Sequence, residues 1–562
     1  MGFDKTNPIR VVVIGGGISG IAQGIRLKEE LGDKVAITIL EKRSSPGGVW
    51  RDSKWAGAGV DVPIHLYQLG GELNPDWSTV YASQPEVLAY WEGLVDKHDL
   101  RDNFLFNSEY IGSEWNSDSQ THTVFVQNVQ TGNKLKLEAE VLVSAAGPLA
   151  KPQFPNIPGV KSFAGPYFHN LRWDSDVKLE GKRVAVIGNG SSGIQLVPGV
   201  AALPGVTLTH YIRSGGYFVP KPQRNYTAFE RFAFNWIPGV QHAYRLYLLY
   251  LHDQTWSTRH VYDSSGSSAE EVFLLDYLKK TAPAEYLDAL TPHYPLGSKR
   301  TALNLGWLET LHKDNVELTN TTITKVHPNG IETADGKLRE HDVIIYATGS
   351  DVPYQGVGVN TNLHGEGGVE LEQYWKSIGG PQAYAGVAVP HFPNYFIIIG
   401  PNGTAGSWGW TININTQAIA RIVRELVDYG VSSVQPREAP FKAHNAKVQN
   451  YLKHSAAATK ATNNWWRTDE GLITVVNPQA GLAEWWSKLS TKWSDWDAVK
   501  AVKGPDGKTR LQKVDVNGIK RRRRVLKLAV VGAVSAATYY NWNGIVDFVT
   551  KESGELRKYI QG

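Results

Sequence analysis

The sequence predicts an α/β protein built on two parallel-sheet units, and three observations carry that prediction. An apolar, β-branched run, Ile9–Ile14, ends in a glycine-rich turn, Gly15-Gly16-Gly17-Ile18-Ser19-Gly20. The same plan recurs where Arg183–Ile187 leads into Gly188-Asn189-Gly190-Ser191-Ser192-Gly193. Two later apolar runs, Val141–Ala146 and Val343–Tyr346, stop just short of Gly147 and Gly349, as strands returning to each sheet would.

In the first unit a helical pattern follows Gly20, then the strand Val35–Leu40 and the acid Glu41. In a strand–turn–helix–strand unit the first glycine allows the tight turn and the second lets backbone N–H groups approach a pyrophosphate. The third lets the helix pack closely on the strand, and the pyrophosphate sits at the helix N-terminus. Gly15, Gly17 and Gly20, with Ser19 between them, are therefore candidate cofactor-binding residues. Glu41 falls twenty-one residues beyond Gly20, the spacing of an acid that hydrogen-bonds ribose hydroxyls. An acid there repels a 2′-phosphate, so this loop suits FAD or NAD rather than NADP.

The second unit offers Gly188, Gly190, Ser191, Ser192 and Gly193, and its second strand, Val206–Ile212, ends at Arg213. A guanidinium at that position suits a 2′-phosphate and points to NADPH. The fold class expected is therefore α/β with two Rossmann-like dinucleotide-binding domains. One acid-marked and one basic-marked loop suit the passage of a hydride from NADPH to a flavin.

Between residues 221 and 295 the strand signal fades and aromatic, helical sequence takes over, clearest in Phe229–Trp236 and Gln241–Trp256. After Gly349 the chain returns to the first domain through a strand at Tyr395–Ile399 and a helix near Gln417–Tyr429. The basic run Lys520–Arg524 then precedes the apolar stretch Val525–Tyr540, which is too short for a transmembrane helix. It suits either peripheral contact with an anionic membrane surface or a helix packed on the body. The domains expected are residues 1–150 for the first part of the FAD domain and 151–174 for a linker. The NADPH domain takes 175–344 with an insert at about 221–295, the second part of the FAD domain 345–495, and a helical C-terminal extension 496–562.

Composition narrows the function classes. A chain of 562 residues is too long for one core. Its formal charge of +4 is mild for that length and gives no sign of a nucleic-acid partner. There is no cysteine, which excludes a disulfide framework, a thiolate metal site, a cysteine nucleophile and the dithiol chemistry of flavoreductases. No metal site is expected. The first apolar run is already a strand rather than a secretory leader, so a cytoplasmic protein is expected, membrane-associated through its C-terminus if the tail acts as an anchor.

One further string names a chemistry. Phe163-Ala-Gly165-Pro-Tyr-Phe-His169-Asn-Leu-Arg-Trp173-Asp174 fits F-x-G-x-x-x-H-x-x-x-W-[P/D] at every fixed position. It resembles the fingerprint of Baeyer–Villiger monooxygenases, and the spacing is nearer to fungal members. Other segments agree in order over about residues 9 to 490: Gly47-Gly48-Val49-Trp50, Gly57–Pro63, Gln84-Pro85-Glu86, Gly297-Ser298-Lys299-Arg300 and Ala347-Thr348-Gly349 with Asp351.

The resemblance implies an FAD- and NADPH-dependent enzyme that takes a ketone and O2. It would insert one oxygen beside the carbonyl through an FAD C4a-peroxide, giving an ester or lactone; an N- or S-oxygenating flavin monooxygenase is the alternative. It implies that Arg300 lies over the flavin, that Asp61 is its ionic partner and that Lys299 reaches the 2′-phosphate. Gly48, Val49, Trp50, Val62, Tyr67 and Gln195 join the cofactor-binding set, and Trp465 belongs to a loop that closes over NADP. His169 is implied to link domains rather than to move protons. Two departures stand out: Ser53-Lys54-Trp55-Ala56 replaces the family's usual Asn and Tyr-Pro, and Val60 stands where Cys is frequent.

Overall fold

The computed structural model describes residues 3–221, 223–260, 269–352, 362–404, 406–462, 464–506 and 509–522. The first unit opens with β1 (Ile9–Ile14), α1 (Ile18–Leu31), β2 (Val35–Leu40), β3 (Phe104–Leu105) and β4 (Val141–Ser144). The second opens with β5 (Tyr167–His169), β6 (Arg183–Ile187), α2 (Ser191–Ala201) and β7 (Thr207–Tyr211). An insert follows as α3 (Ala228–Trp236), α4 (Val240–His260) and α5 (Ala269–Thr281), after which β8 (Val316–Thr319) and β9 (Val343–Tyr346) complete the second unit. The chain then returns to the first unit with β10 (Tyr395–Ile397), α6 (Trp408–Tyr429) and α7 (Gly481–Ser487).

The two units share the order of four strands and differ in the fifth, an edge strand that comes last in the chain in the first unit and first in the second. The first sheet runs β10-β4-β1-β2-β3 and the second β8-β7-β6-β9-β5, each five-stranded and parallel throughout. Parallel sheets are covered on both faces, which is why β1, β4, β6 and β9 read as unbroken apolar runs and are buried almost end to end. The glycine turns repeat in detail. Gly15 and Gly188 take φ of 106° and 110°, which only glycine adopts without strain. A Cβ on Gly20 would lie 1.9 Å from the Gly15 carbonyl oxygen, and one on Gly193 2.0 Å from that of Gly188.

The helical insert forms as expected, and α6 begins nine residues before the helix expected near Gln417. Two boundaries differ. Tyr167–His169, expected in a linker, is the edge strand beside β9, so the second sheet recruits part of the fingerprint. The extension from residue 496 is not helical at its start. Trp496–Lys503 and Thr509–Lys513 form a hairpin that adds to Ser433–Pro436, and residues 516–522 are helical. Among the described residues no helix is long and apolar enough to cross a membrane, and Val525–Tyr540 lies outside them.

Candidate active site

A cavity of about 590 Å³ opens between the two units and takes its lining from both. Gly15, Gly17, Ser19 and Glu41 line it from the first glycine turn and the end of β2; Ser191, Ser192 and Gln195 line it from α2. Both helices start toward it without a side-chain cap. Gly17 caps α1 and Gly190 caps α2, and neither first turn carries an acid. Uncapped N–H groups with no competing carboxylate are an anion site, and two of them suit two pyrophosphates. A Cβ on Gly190 would meet nothing within 4 Å, leaving that approach open.

Glu41 is buried at the rim of the first turn. Its Oε2 accepts from the Gly16 N–H at 2.9 Å and its Oε1 from the Arg43 N–H at 2.8 Å, which fixes the carboxylate in the cavity lining. Each oxygen keeps capacity for a ribose hydroxyl. Gly48 turns with φ of 56° against Gly17, bringing Val49 and Trp50 into the wall. Trp50 Nε1 donates to the Tyr67 hydroxyl at 2.9 Å, and the rings meet edge to face. Burial pushes the Tyr67 phenol well above its ordinary range, so it stays protonated. These residues fit the dinucleotide and ring system of FAD.

The predicted ion pair is formed. Arg300 Nη2 lies 2.6 Å from Asp61 Oδ2, and both side chains, with Val62, line the cavity. The Asp61 segment is held from both units. Val60 N–H donates to the Ala82 carbonyl at 3.0 Å, and the Gln195 amide bonds both backbone groups of Gly59, at 3.2 and 3.4 Å. Gln195, expected at a cofactor, thus also ties α2 to the loop that aims Asp61. On the other side, Ser298 is fully buried and its Oγ donates to the Pro295 carbonyl at 2.6 Å. Asn464 Nδ2 donates to the Ser298 carbonyl at 2.8 Å, a link that no sequence spacing signals.

Gly20, Gly188, Gly190, Gly193, Arg213, Lys299 and Trp465 lie outside the cavity lining. The first four build the two turns. Arg213 is exposed just past β7, and Lys299 lies close enough to feel its charge. Burial and, second, the Arg213 charge hold the Lys299 ammonium below its ordinary range. Lys299 sits 4.7 Å above the centre of the Tyr294 ring, whose hydroxyl donates to the Gly215 carbonyl at 3.1 Å. Two cations near each other suit a dianionic phosphate. Trp465 is half-buried, its ring 6.3 Å from that of Trp466.

His169 is fully buried, lines the cavity and accepts from the Leu171 N–H at 3.2 Å. Burial pushes its pKa down to about 4, so it is neutral at working pH and suits a structural part. Beside it Arg172 reaches Asp52 at 3.2 Å and the Ala150 carbonyl at 3.1 Å, joining the fingerprint to the flavin half. Lys221, on the other side, was missed by sequence reasoning. It lies over the Tyr81 ring at 4.6 Å, and burial lowers its pKa to about 8 while the Asp61 charge opposes the shift.

With the geometry in place, comparisons with known proteins can be read against it. The signature of the pyridine nucleotide-disulphide oxidoreductase family matches residues 9–209, the stretch containing both glycine turns. The chain has none of that chemistry's cysteines. A Baeyer–Villiger monooxygenase of Streptomyces coelicolor is 32% identical over 484 residues, 84% of this chain and 89% of its own. An FAD-binding monooxygenase of Aspergillus niger is 30% identical, over 86% and 81% respectively. Among solved structures, cyclohexanone monooxygenase from Rhodococcus bound to NADP+ superposes with a TM-score of 0.75 at 24% identity, over 87% of this chain and 99% of that one.

Proposed function

The chain belongs to the Baeyer–Villiger monooxygenase family, and from that premise we propose which of its residues carry the reaction. It is an FAD-containing, NADPH-dependent monooxygenase that inserts one oxygen atom beside a ketone carbonyl, giving an ester or lactone. When bound, the flavin, reduced by NADPH, supplies the activated oxygen. The observation that carries the residue assignment is the Arg300–Asp61 pair, which faces the cavity fed by both helix N-termini.

Arg300 is the catalytic cation. A guanidinium keeps its proton at any working pH, so it favours negative charge on the attacking oxygen and protonates nothing. It also stabilises the charge that develops on the ketone oxygen as the carbonyl carbon is attacked. Asp61 fixes the direction of that charge. Glu41 holds a ribose of FAD, with the α1 N-terminus on its pyrophosphate; the α2 N-terminus, Arg213 and Lys299 hold NADPH. His169 stays neutral and keeps the fingerprint strand in place.

The ketone-directed reading is favoured over N- or S-oxygenation by Trp173-Asp174, which completes the longer fingerprint. A cytoplasmic protein with peripheral membrane contact through residues 520–540 belongs to the same reading, on the strength of the basic and apolar runs there. The test is product analysis by mass spectrometry from a panel of ketones and sulfides with NADPH and isotopically labelled O2. An ester or lactone carrying one labelled oxygen is expected; sulfoxide as the sole product would overturn the ketone assignment.

A further inference from the structure

Arg213 and Lys299 come from separate segments, and one side chain reaches both. Tyr294 precedes Lys299 by five residues, and between them the chain makes a tight turn. The Ser298 N–H and its Oγ both donate to the Pro295 carbonyl, at 3.2 and 2.6 Å, while Gly297 takes a φ of 86°. Leu296 and Ser298 are buried, which pins the turn in place. It carries Lys299 back across Tyr294, so that the ammonium lies 4.7 Å from the centre of the ring.

The hydroxyl of the same residue acts on the other segment. It donates to the carbonyl of Gly215, just beyond Arg213, at 3.1 Å. Burial pushes the phenol up to about 12, so it keeps the proton it donates. The Gly216 N–H donates to the Leu290 carbonyl at 3.1 Å, and a Cβ on Gly215 would lie 2.2 Å from that oxygen. From the second glycine turn, Asn189 Nδ2 donates to the Ser214 carbonyl at 2.8 Å. Tyr294 is itself held by Tyr217, whose ring meets it edge to face at 5.9 Å and whose hydroxyl donates to its carbonyl at 2.9 Å.

We propose that Tyr294 is a positioning residue for the 2′-phosphate of NADPH, its ring holding Lys299 and its hydroxyl holding the loop that carries Arg213. The proposal rests on the assignment of those two cations to that phosphate. Two like charges kept near each other repel, and they need a brace that is in place before the anion arrives. A carboxylate brace would take up the charge that the phosphate needs. An aromatic face attracts an ammonium without neutralising it, and leaves its N–H groups able to turn to an anion. A neutral hydroxyl on a backbone carbonyl likewise fixes the loop and adds no negative charge. Binding then gains from order already present in the empty site.

The test is calorimetric titration of the FAD-loaded full chain with NADP+ and with NAD+, which differ by the 2′-phosphate alone. Wild type is expected to favour NADP+ by roughly tenfold or more. Tyr294→Leu should weaken NADP+ about tenfold and change NAD+ by less than about twofold. Tyr294→Phe keeps the ring and drops the tether, and should weaken NADP+ about threefold. In turnover the KM for NADPH should rise to match, with kcat falling far less. Because the ring acts through Lys299, adding Tyr294→Leu to Lys299→Met should cost only the tether's share, again about threefold. A ring that merely packs would weaken both nucleotides together, and equal losses overturn the proposal. So does wild-type preference in either variant, or a full tenfold loss on top of Lys299→Met. Tyr294→Phe decides the matter by itself if the leucine chain fails to hold FAD. A Lys299→Met chain that binds NADP+ as wild type does would overturn the phosphate assignment itself, which is a separate failure.

Discussion

Arg300 and Asp61 are 2.6 Å apart in space and far apart in sequence, which explains how differently the two parts of the site were legible. A cofactor loop is a local pattern, and its glycines state their role through spacing alone. A long-range ion pair has no local signature, and only the family resemblance, through the segments Gly57–Pro63 and Gly297–Arg300, led to it. Asn464 and Lys221 lack even that, since each acts on the pair through a contact formed after folding. If Arg300 serves the oxygen-transfer step alone, Arg300→Ala should keep NADPH-driven reduction of FAD and lose oxygen insertion roughly 10²- to 10³-fold. Anaerobic reduction followed by product analysis separates the two, and an Arg300→Ala enzyme that still forms ester would refute the role. Arg213 and Lys299 make a second case. Arg213→Ala should raise the KM for NADPH about tenfold or more while barely changing that for NADH, because only NADPH carries the extra phosphate. Equal losses for the two cofactors would place Arg213 elsewhere.

The two glycine turns are nearly superimposable in design, yet they should fail differently. A Cβ at position 20 or 193 would lie about 2 Å from a backbone oxygen, so the helix must retreat from its strand by about 1 Å. Gly20→Ala should therefore lose FAD, visible as a loss of flavin absorbance in purified protein. Gly193→Ala should keep FAD and raise the KM for NADPH roughly tenfold. A Gly193→Ala protein that loses flavin while binding NADPH normally would reverse the assignment of the two units. These elements were readable because β1 and β6 are buried on both faces and so run apolar without interruption. Tyr167–His169 was not readable. Three residues at a sheet edge show no period, and their strand character comes from β9 alongside them. The hairpin Trp496–Lys503 and Thr509–Lys513 was hidden for a related reason, since its second strand is mostly exposed and polar.

Across the whole molecule the histidines set a common dependence on pH. His122, His169, His210, His341 and His444 are desolvated, with pKa values pushed from 6.5 down to about 4, and His65 lies lower still at about 3. They are spread through both units, so no single domain bears the effect. In the folded protein these rings stay neutral down to about pH 4, whereas the unfolded chain protonates them near pH 6.5. Between those values the unfolded state binds more protons, and stability falls as pH falls. Above pH 6.5 the contribution is fully present. Each such ring contributes a slope of about 1.4 kcal/mol per pH unit inside the window, a large share of a marginal folding free energy. The carboxylates of Asp342 and Glu230, held at about 2 first of all by Arg183 and by Arg224, stay charged in the folded protein across that window and steepen the fall only at its acid end, where the unfolded carboxyls begin to take up protons. With FAD in excess, the thermal midpoint should hold steady from pH 8 to 7 and drop steeply from pH 6.5 to 4.5 (values of order set by the histidine range). His122 is the test position, because it is fully buried and its Nε2 meets the Pro393 carbonyl at 2.9 Å. His122→Gln should lower the midpoint at neutral pH and flatten the acid slope by about one proton's worth. A midpoint independent of pH through that window, or a His122→Gln slope equal to wild type, would show that these rings are protonated in the folded protein after all.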